Sequence, residues 1–187
     1  DEPGGYYFKS HLVPYGEYVP LKKYMPFLAP LVEAAGDFTP GQVGSPLAAG
    51  KIKAGVLICY ESIFPGIGRR WVENGANVLV NLTNDAWYGK SSAPYQSWAM
   101  TVLRSVETRR SLVRSANTGI SGVIDPLGRI KSESELFVVW ADTIEVPLMK
   151  ERSLFVAGGF LFGPVCAAAG VLICIVALGM GKRQRKW

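Results

Sequence analysis

From Leu154 to Met180 the chain reads LFVAGGFLFGPVCAAAGVLICIVALGM, a run without one charged residue. No other feature limits the possible folds so strongly. About 20 apolar residues at 1.5 Å each cross the hydrocarbon core of a bilayer, so the run is expected to span one, with tilt or an unwound end absorbing the surplus. A buried core helix of this length would be unusual. Gly158, Gly159, Gly163 and Pro164 are compatible with a span, because neighbouring helices can satisfy freed backbone groups and small residues permit close packing. Lys182, Arg183, Arg185 and Lys186 follow at once, and such clustered positive charge marks the cytoplasmic side of a span. The C-terminus is therefore expected inside, with the residues ahead of the run on the opposite face, which in a bacterium is the periplasm.

The same four residues account for most of the formal net charge of +5, leaving 16 Lys/Arg against all 15 Asp/Glu in residues 1–152. A nearly neutral body with no zinc spacing and no basic stripe argues against nucleic acid as a partner. With 49% hydrophobic residues the body is expected to fold rather than remain disordered. Asp1 is not an initiating Met and no signal peptide opens the sequence, so the chain reads as a fragment of something longer.

Ahead of the span, strand and helix signals alternate. Ala54–Tyr60 (AGVLICY) and Asn77–Leu82 (NVLVNL) are short continuous apolar runs, as expected of strands buried on both faces. A helix is expected between them from about Gly66 to Glu73, stopping at Asn74 and Gly75. Gln96–Arg110 carries apolar residues at helical spacing, Ser111–Asp125 returns to β, Pro126–Gly128 turns the chain, and another strand begins at Arg129. This order predicts an α/β sandwich. Residues 18–50 are irregular and rich in Pro and Gly; Tyr24, Met25, Phe27 and Leu28 there could touch lipid, cover an apolar channel or simply pack on the body.

The three cysteines form no plausible disulfide framework, since Cys166 and Cys174 lie in the apolar run and Cys59 ends a strand. A free Cys is most often a small buried hydrophobe. Cys59, however, sits between a buried strand and a probable helix start, where a sharp turn can present a side chain at the sheet edge. Helix amides and a nearby cation lower the pKa of a thiol and make it a better nucleophile. Lys9, after the aromatic run Tyr6-Tyr7-Phe8 and before an ordered turn at His11–Glu17, is the leading candidate for that cation; the plainer reading is a solvated lysine. His11 invites a Cys–His pair, and the plainer reading is a structural residue. Asn84, Asp85 and Trp87 follow a buried strand, where α/β proteins place ligand contacts, although Asn and Asp also serve ordinary turns.

Four ordered blocks carry a resemblance: YYFKSHLVPYGEYVP at Tyr6–Pro20, LICYESIFP at Leu57–Pro65, LTNDAWYGKSSAPYQSWAM at Leu82–Met100 and RSANTGISGVIDPLGRI at Arg114–Ile130. Together they resemble the apolipoprotein N-acyltransferase family of the nitrilase superfamily. The resemblance implies a nitrilase-like αββα sandwich, present in part, followed by a C-terminal transmembrane helix. It implies a Glu-Lys-Cys site in which Cys59 attacks an ester carbonyl of a phospholipid and Lys9 stabilises the oxyanion. The family's base glutamate precedes the lysine motif; only Asp1 and Glu2 precede Lys9 here, too near to be that residue, so the piece is expected to be inactive alone. Glu17 matches a second glutamate near the lysine, Tyr60 and Glu61 match positions that shape the site after the nucleophile, and Asn84 and Trp87 are implied to border the acyl site. No cofactor or metal is implied.

The organisation expected is a partial carbon-nitrogen hydrolase domain over 1–152, a membrane helix over 153–181 and a basic cytoplasmic tail over 182–187. The first functional expectation is transfer of a fatty acyl chain from a phospholipid donor to the N-terminal amine of a diacylglyceryl-modified apolipoprotein, through a Cys thioester, at a bacterial inner membrane. Tethering the site to the bilayer would raise the effective concentration of both substrates. A nitrilase-type amidase acting on a small C–N substrate leaves the span unexplained. A catalytically silent membrane module that binds lipid or lipoprotein is the third expectation.

Overall fold

The computed structural model describes residues 5–20 and 38–184. Six strands form one sheet in chain order: β1 (Leu47–Ala49), β2 (Ile52–Ile58), β3 (Val78–Thr83), β4 (Ser111–Ala116), β5 (Gly122–Ile124) and β6 (Ile130–Glu133). The central β2, β3 and β4 run parallel, and the outer strands join antiparallel. Parallel neighbours need crossovers, which are supplied by α1 (Pro65–Glu73) after β2 and α2 (Ala93–Thr108) after β3. Leu57, Leu79, Leu112 and Ile124 project from the sheet with no exposed surface, and Trp71 of α1 and Trp98 of α2 close over them. This is a helix layer on a mixed sheet, the layering expected from the alternation of signals.

Close approach of α1 to the sheet is made possible by Gly55. A Cβ there would lie 2.7 Å from the Trp71 Cβ and 2.9 Å from the Leu79 Cδ2. Gly55→Ala is therefore expected to destabilise the fold by roughly 1–3 kcal/mol through overpacking. Urea denaturation in detergent checks this, and a midpoint equal to that of the parent would contradict it.

Several boundaries move from their expected places for identifiable reasons. The strand expected to reach Tyr60 stops at Ile58, because Cys59 takes a left-handed backbone (φ 52°) that cannot continue a ladder. Helix α1 begins at Pro65, whose fixed φ suits a first helical position. Helix α2 ends at Thr108 because Arg109 adopts a left-handed cap. The β run from Ser111 divides into β4 and β5, which fold back on one another with Leu112 opposite Ile124.

The apolar run is interrupted. Helix α3 (Leu154–Gly158) is followed by a 3-10 turn, Gly159–Leu161, and then by α4 (Phe162–Gln184). Val156 is buried in the core of the body, so the first residues of the run belong to the soluble fold. The break falls at Gly159 (φ 58°), where a Cβ would meet the Arg69 guanidinium at 3.0 Å. Arg69 Nε donates to the Val156 carbonyl at 3.1 Å while the same side chain pairs with Glu73. Beyond the kink, the 23 residues of α4 extend about 35 Å, enough to cross a hydrocarbon core of about 30 Å. Leu154–Ala177 has the length and composition of a membrane span. Tyr24, Met25, Phe27, Leu28, Arg185 and Lys186 lie outside the described residues.

Candidate active site

β2 and β3 are parallel with Ile58 opposite Leu82, so their C-terminal ends open side by side at one sheet edge. That edge is where open α/β sheets bind ligands. Cys59 stands there, in the sharp turn expected from the sequence, as the first residue of a 3-10 helix Cys59–Ile63. A non-glycine residue with φ near 52° is strained by about 1 kcal/mol or more, and its surroundings must hold it. Asn81 of β3 donates to the Leu57 carbonyl at 2.9 Å and to the Cys59 carbonyl at 3.4 Å. Ser62 Oγ also donates to the Cys59 carbonyl, and Arg104 of α2 donates to that of Ile63 at 2.7 Å. Cys59 itself is partly exposed.

Glu61 is fully buried and joins this elbow to the segment that carries Lys9. Its Oε2 accepts the Ile58 amide at 2.8 Å. Its Oε1 accepts the Tyr7 hydroxyl at 2.7 Å, the Ser10 amide at 2.6 Å, the Ser10 hydroxyl at 2.8 Å and the His11 amide at 3.0 Å. Five donors around one carboxylate satisfy a buried charge that would otherwise be costly. Burial pushes the Tyr7 phenol well above its ordinary pKa, and the Glu61 carboxylate acts in the same direction, so Tyr7 remains a neutral donor. The Tyr7 ring packs edge-on against Trp71 at 4.9 Å between centroids.

Lys9 therefore lies one residue from backbone held by Glu61. Its Nζ donates to both oxygens of Glu17, at 2.7 and 2.8 Å, and Glu17 also accepts the Val13 amide at 2.8 Å. The turn that returns Glu17 to Lys9 closes through Gly16 and Glu17 amides donating to the Val13 carbonyl. His11 stacks on Phe64 with centroids 3.9 Å apart, a packing role in line with its expected one, and Tyr60 packs edge-on against the same Phe64 at 5.0 Å.

The turn after β3 is a second 3-10 helix, Asp85–Tyr88, capped by Asn84, whose side chain accepts the Ala86 amide and an Asn117 amide proton. Trp87 stands 87% exposed on this turn. Beneath it Asp85 is buried: its Oδ2 meets Arg114 Nη2 at 2.6 Å, and its Oδ1 accepts the Thr83 hydroxyl at 2.7 Å. Arg114, on β4, also donates to Ser97 and Thr101 of α2. Tyr88 has its phenol pKa raised, mainly by burial and further by the charge of a Cys59 thiolate and of Asp85. The structure thus unites Lys9 with Glu17, and Cys59 with Tyr60 and Glu61; Asn84 caps its own turn and Trp87 faces solvent.

Sequence reading passed over Tyr7, Ser10, Asn81 and the Asp85–Arg114 pair as site architecture. The available signal was an Asn and an Arg inside strands with apolar neighbours, since interior polar groups are retained only where partners meet them. In chemical terms the edge offers a strained, partly exposed thiol, and the Glu61 carboxylate ties its turn to the segment that carries the Lys9 amine. That set suits attack on a carbonyl with a donor available for the developing oxyanion.

The Carbon-nitrogen hydrolase family profile matches residues 1–138, and the chain belongs to that family. Within it, the chain is 46% identical to an apolipoprotein N-acyltransferase of Geobacter metallireducens over 169 residues, covering 90% of this chain and 32% of that protein. It is 47% identical to one of Rickettsia typhi over 131 residues, covering 70% of this chain and 26% of that protein. The chain thus spans about a third or less of the length of these curated relatives. Among solved structures, it is similar to an amidase from Nesterenkonia sp., with a TM-score of 0.47 and 23% identity, over 68% of this chain and 44% of that one.

Proposed function

We propose that this chain is the nucleophile-bearing part of a membrane-bound N-acyltransferase that moves a fatty acyl group from a phospholipid to the N-terminal amine of a diacylglyceryl-cysteine lipoprotein. Cys59 is the nucleophile and Lys9 the oxyanion donor. Glu17 orients Lys9, Glu61 holds the two segments together, and Tyr60, Asn84 and Trp87 line the approach. In the first half, the Cys59 thiolate attacks the ester carbonyl, the C–O bond breaks, and the lysophospholipid alkoxide leaves with a proton. In the second half, the amine attacks the thioester, the C–S bond breaks, and Cys59 is restored. A glutamate that the family places ahead of the lysine motif moves the proton in both halves.

The observation that carries this reading is the strained Cys59 turn tied through Glu61 to the Lys9 segment, in a chain that also holds an apolar helix long enough for a bilayer. A cavity of about 340 Å³ lined by His11, Phe64, Ile67, Arg70 and Phe160 lies between the start of α1 and the turn before α4, a largely apolar space suited to part of an amphiphile. The domain includes α3, whose Val156 packs in its core, and α4 is the span, with its basic C-terminal end and the tail in the cytoplasm and the site on the periplasmic face of the inner membrane, as Lys182, Arg183, Arg185 and Lys186 favour.

The test uses the full-length protein in detergent with phospholipid labelled in its acyl chain. Label is expected to appear on protein, to be released by hydroxylamine, and to pass to a diacylglyceryl-cysteine peptide when that acceptor is added. Label that the acceptor cannot discharge would overturn acyl transfer and favour a lipid-binding role.

A further inference from the structure

The buried Asp85–Arg114 pair is not part of the chemistry assigned above, yet it is the most completely sequestered ion pair among the described residues, with side chains 1% and 0% exposed. Burying both charges is costly unless geometry and further hydrogen bonds offset the lost hydration. Here they nearly do. Arg114 Nη2 reaches Asp85 at 2.6 Å and Ser97 at 3.1 Å, and its Nη1 reaches Thr101 at 2.8 Å and Ser97 at 3.2 Å. Its Cζ lies 6.0 Å from the Trp98 ring centroid. On the other side, Asp85 takes the Thr83 hydroxyl, and the chain at Gly119 passes so close that a Cβ would fall 2.1 Å from Asp85 Oδ2. Three elements, β3, β4 and α2, are thereby fastened to the first residue of the turn Asp85–Tyr88.

That turn leaves the end of β3 beside the end of β2, where Cys59 stands, and Asn81, four residues before Asp85, already donates to the Cys59 carbonyl. An apolar pair of similar volume would hold a helix on a sheet equally well. A guanidinium that meets Asp85 through Nη2 while its two terminal nitrogens also hold Ser97 and Thr101 instead fixes one backbone position in direction as well as distance.

We propose that Asp85 and Arg114 are positioning residues, which hold the Asp85–Tyr88 turn against the Cys59 elbow so that the face carrying Trp87 and Tyr88 forms a fixed wall for the acyl group. The consequence for chemistry rests on the acyl-transfer reading; the clamp itself does not.

The experiment compares the full-length parent with Arg114→Lys and Asp85→Asn in detergent, each rate normalised to folded protein. Lysine keeps the charge but cannot reach Asp85, Ser97 and Thr101 together. Three quantities are read: acylation of Cys59 by labelled phospholipid, alkylation of Cys59 by iodoacetamide, and hydrogen exchange over residues 84–89. In Arg114→Lys, acylation is expected to fall at least about tenfold, alkylation to stay within about twofold, and exchange over the turn to accelerate while that of β2 and β3 does not. Asp85→Asn should act in the same direction; if it fails to fold, Arg114→Lys decides. Acylation at the parent rate, unchanged exchange over the turn, or equal falls in acylation and alkylation would each overturn the proposal. A parent protein that takes no acyl label would overturn the acyl-transfer reading alone, and the exchange measurement would still decide whether the clamp holds the turn.

Discussion

Cys59→Ala is expected to take up no acyl label at all from phospholipid while keeping the parent's unfolding midpoint. The side chain lost is small and partly exposed, and no hydrogen bond among the described residues depends on its sulfur. Alanine tolerates the left-handed backbone of the elbow about as well as cysteine, and the hydrogen bonds that hold that conformation run from Asn81, Ser62 and Glu61 to backbone groups. The variant therefore removes the covalent intermediate without removing its support. Mass spectrometry of the intact protein after incubation with lipid reads the result, and a persisting acyl adduct would end the assignment of Cys59.

Lys9→Ala should slow acylation of Cys59 by about 10²–10³-fold, the usual effect of removing one oxyanion donor, with little change in stability. The pair it breaks is not deeply buried on both sides: the Glu17 side chain is 29% exposed. Glu17 retains its bond from the Val13 amide and gains access to water, so the fold should lose no more than the small energy of a solvent-reachable pair. Single-turnover acylation, compared with the denaturation midpoint of the same sample, separates the two effects. Equal rates in variant and parent would remove Lys9 from the mechanism.

Much of this was legible before any coordinates. The apolar runs Ala54–Tyr60 and Asn77–Leu82 read as strands buried on both faces because they carry no polar alternation, and they contain most of the parallel β2 and β3; the stop expected at Asn74-Gly75 is where α1 ends. The break between Cys59 and the helix was legible only as a turn. Its 3-10 geometry arises from Glu61 folding back onto Ile58, a contact that composition does not encode. β1, three residues long, has no periodicity to detect and exists because β2 offers it an edge. The site was legible in its ends and not in its middle. Cys59 and Lys9 carry recognisable surroundings, whereas the Glu61 network joins residues about fifty positions apart, and such pairing is decided by tertiary folding. Asp85 read equally as a ligand contact or as an ordinary turn residue, and its burial against Arg114 makes it neither.

The joint between body and apolar helix has a mechanical consequence. Arg69 belongs to α1, the helix that starts directly after the elbow, and it holds the Val156 carbonyl of α3 beside a glycine whose Cβ would press on the guanidinium. With Val156 seated in the core, the stem is splinted to the globule and cannot act as a loose leash. A change in the lean of that stem, such as a thinner or thicker bilayer would impose, must be borne by the splint or passed along α1 as torque. On the membrane-bound reading proposed above, the height and pitch of the thiol over the lipid surface follow from one guanidinium and one missing methyl group.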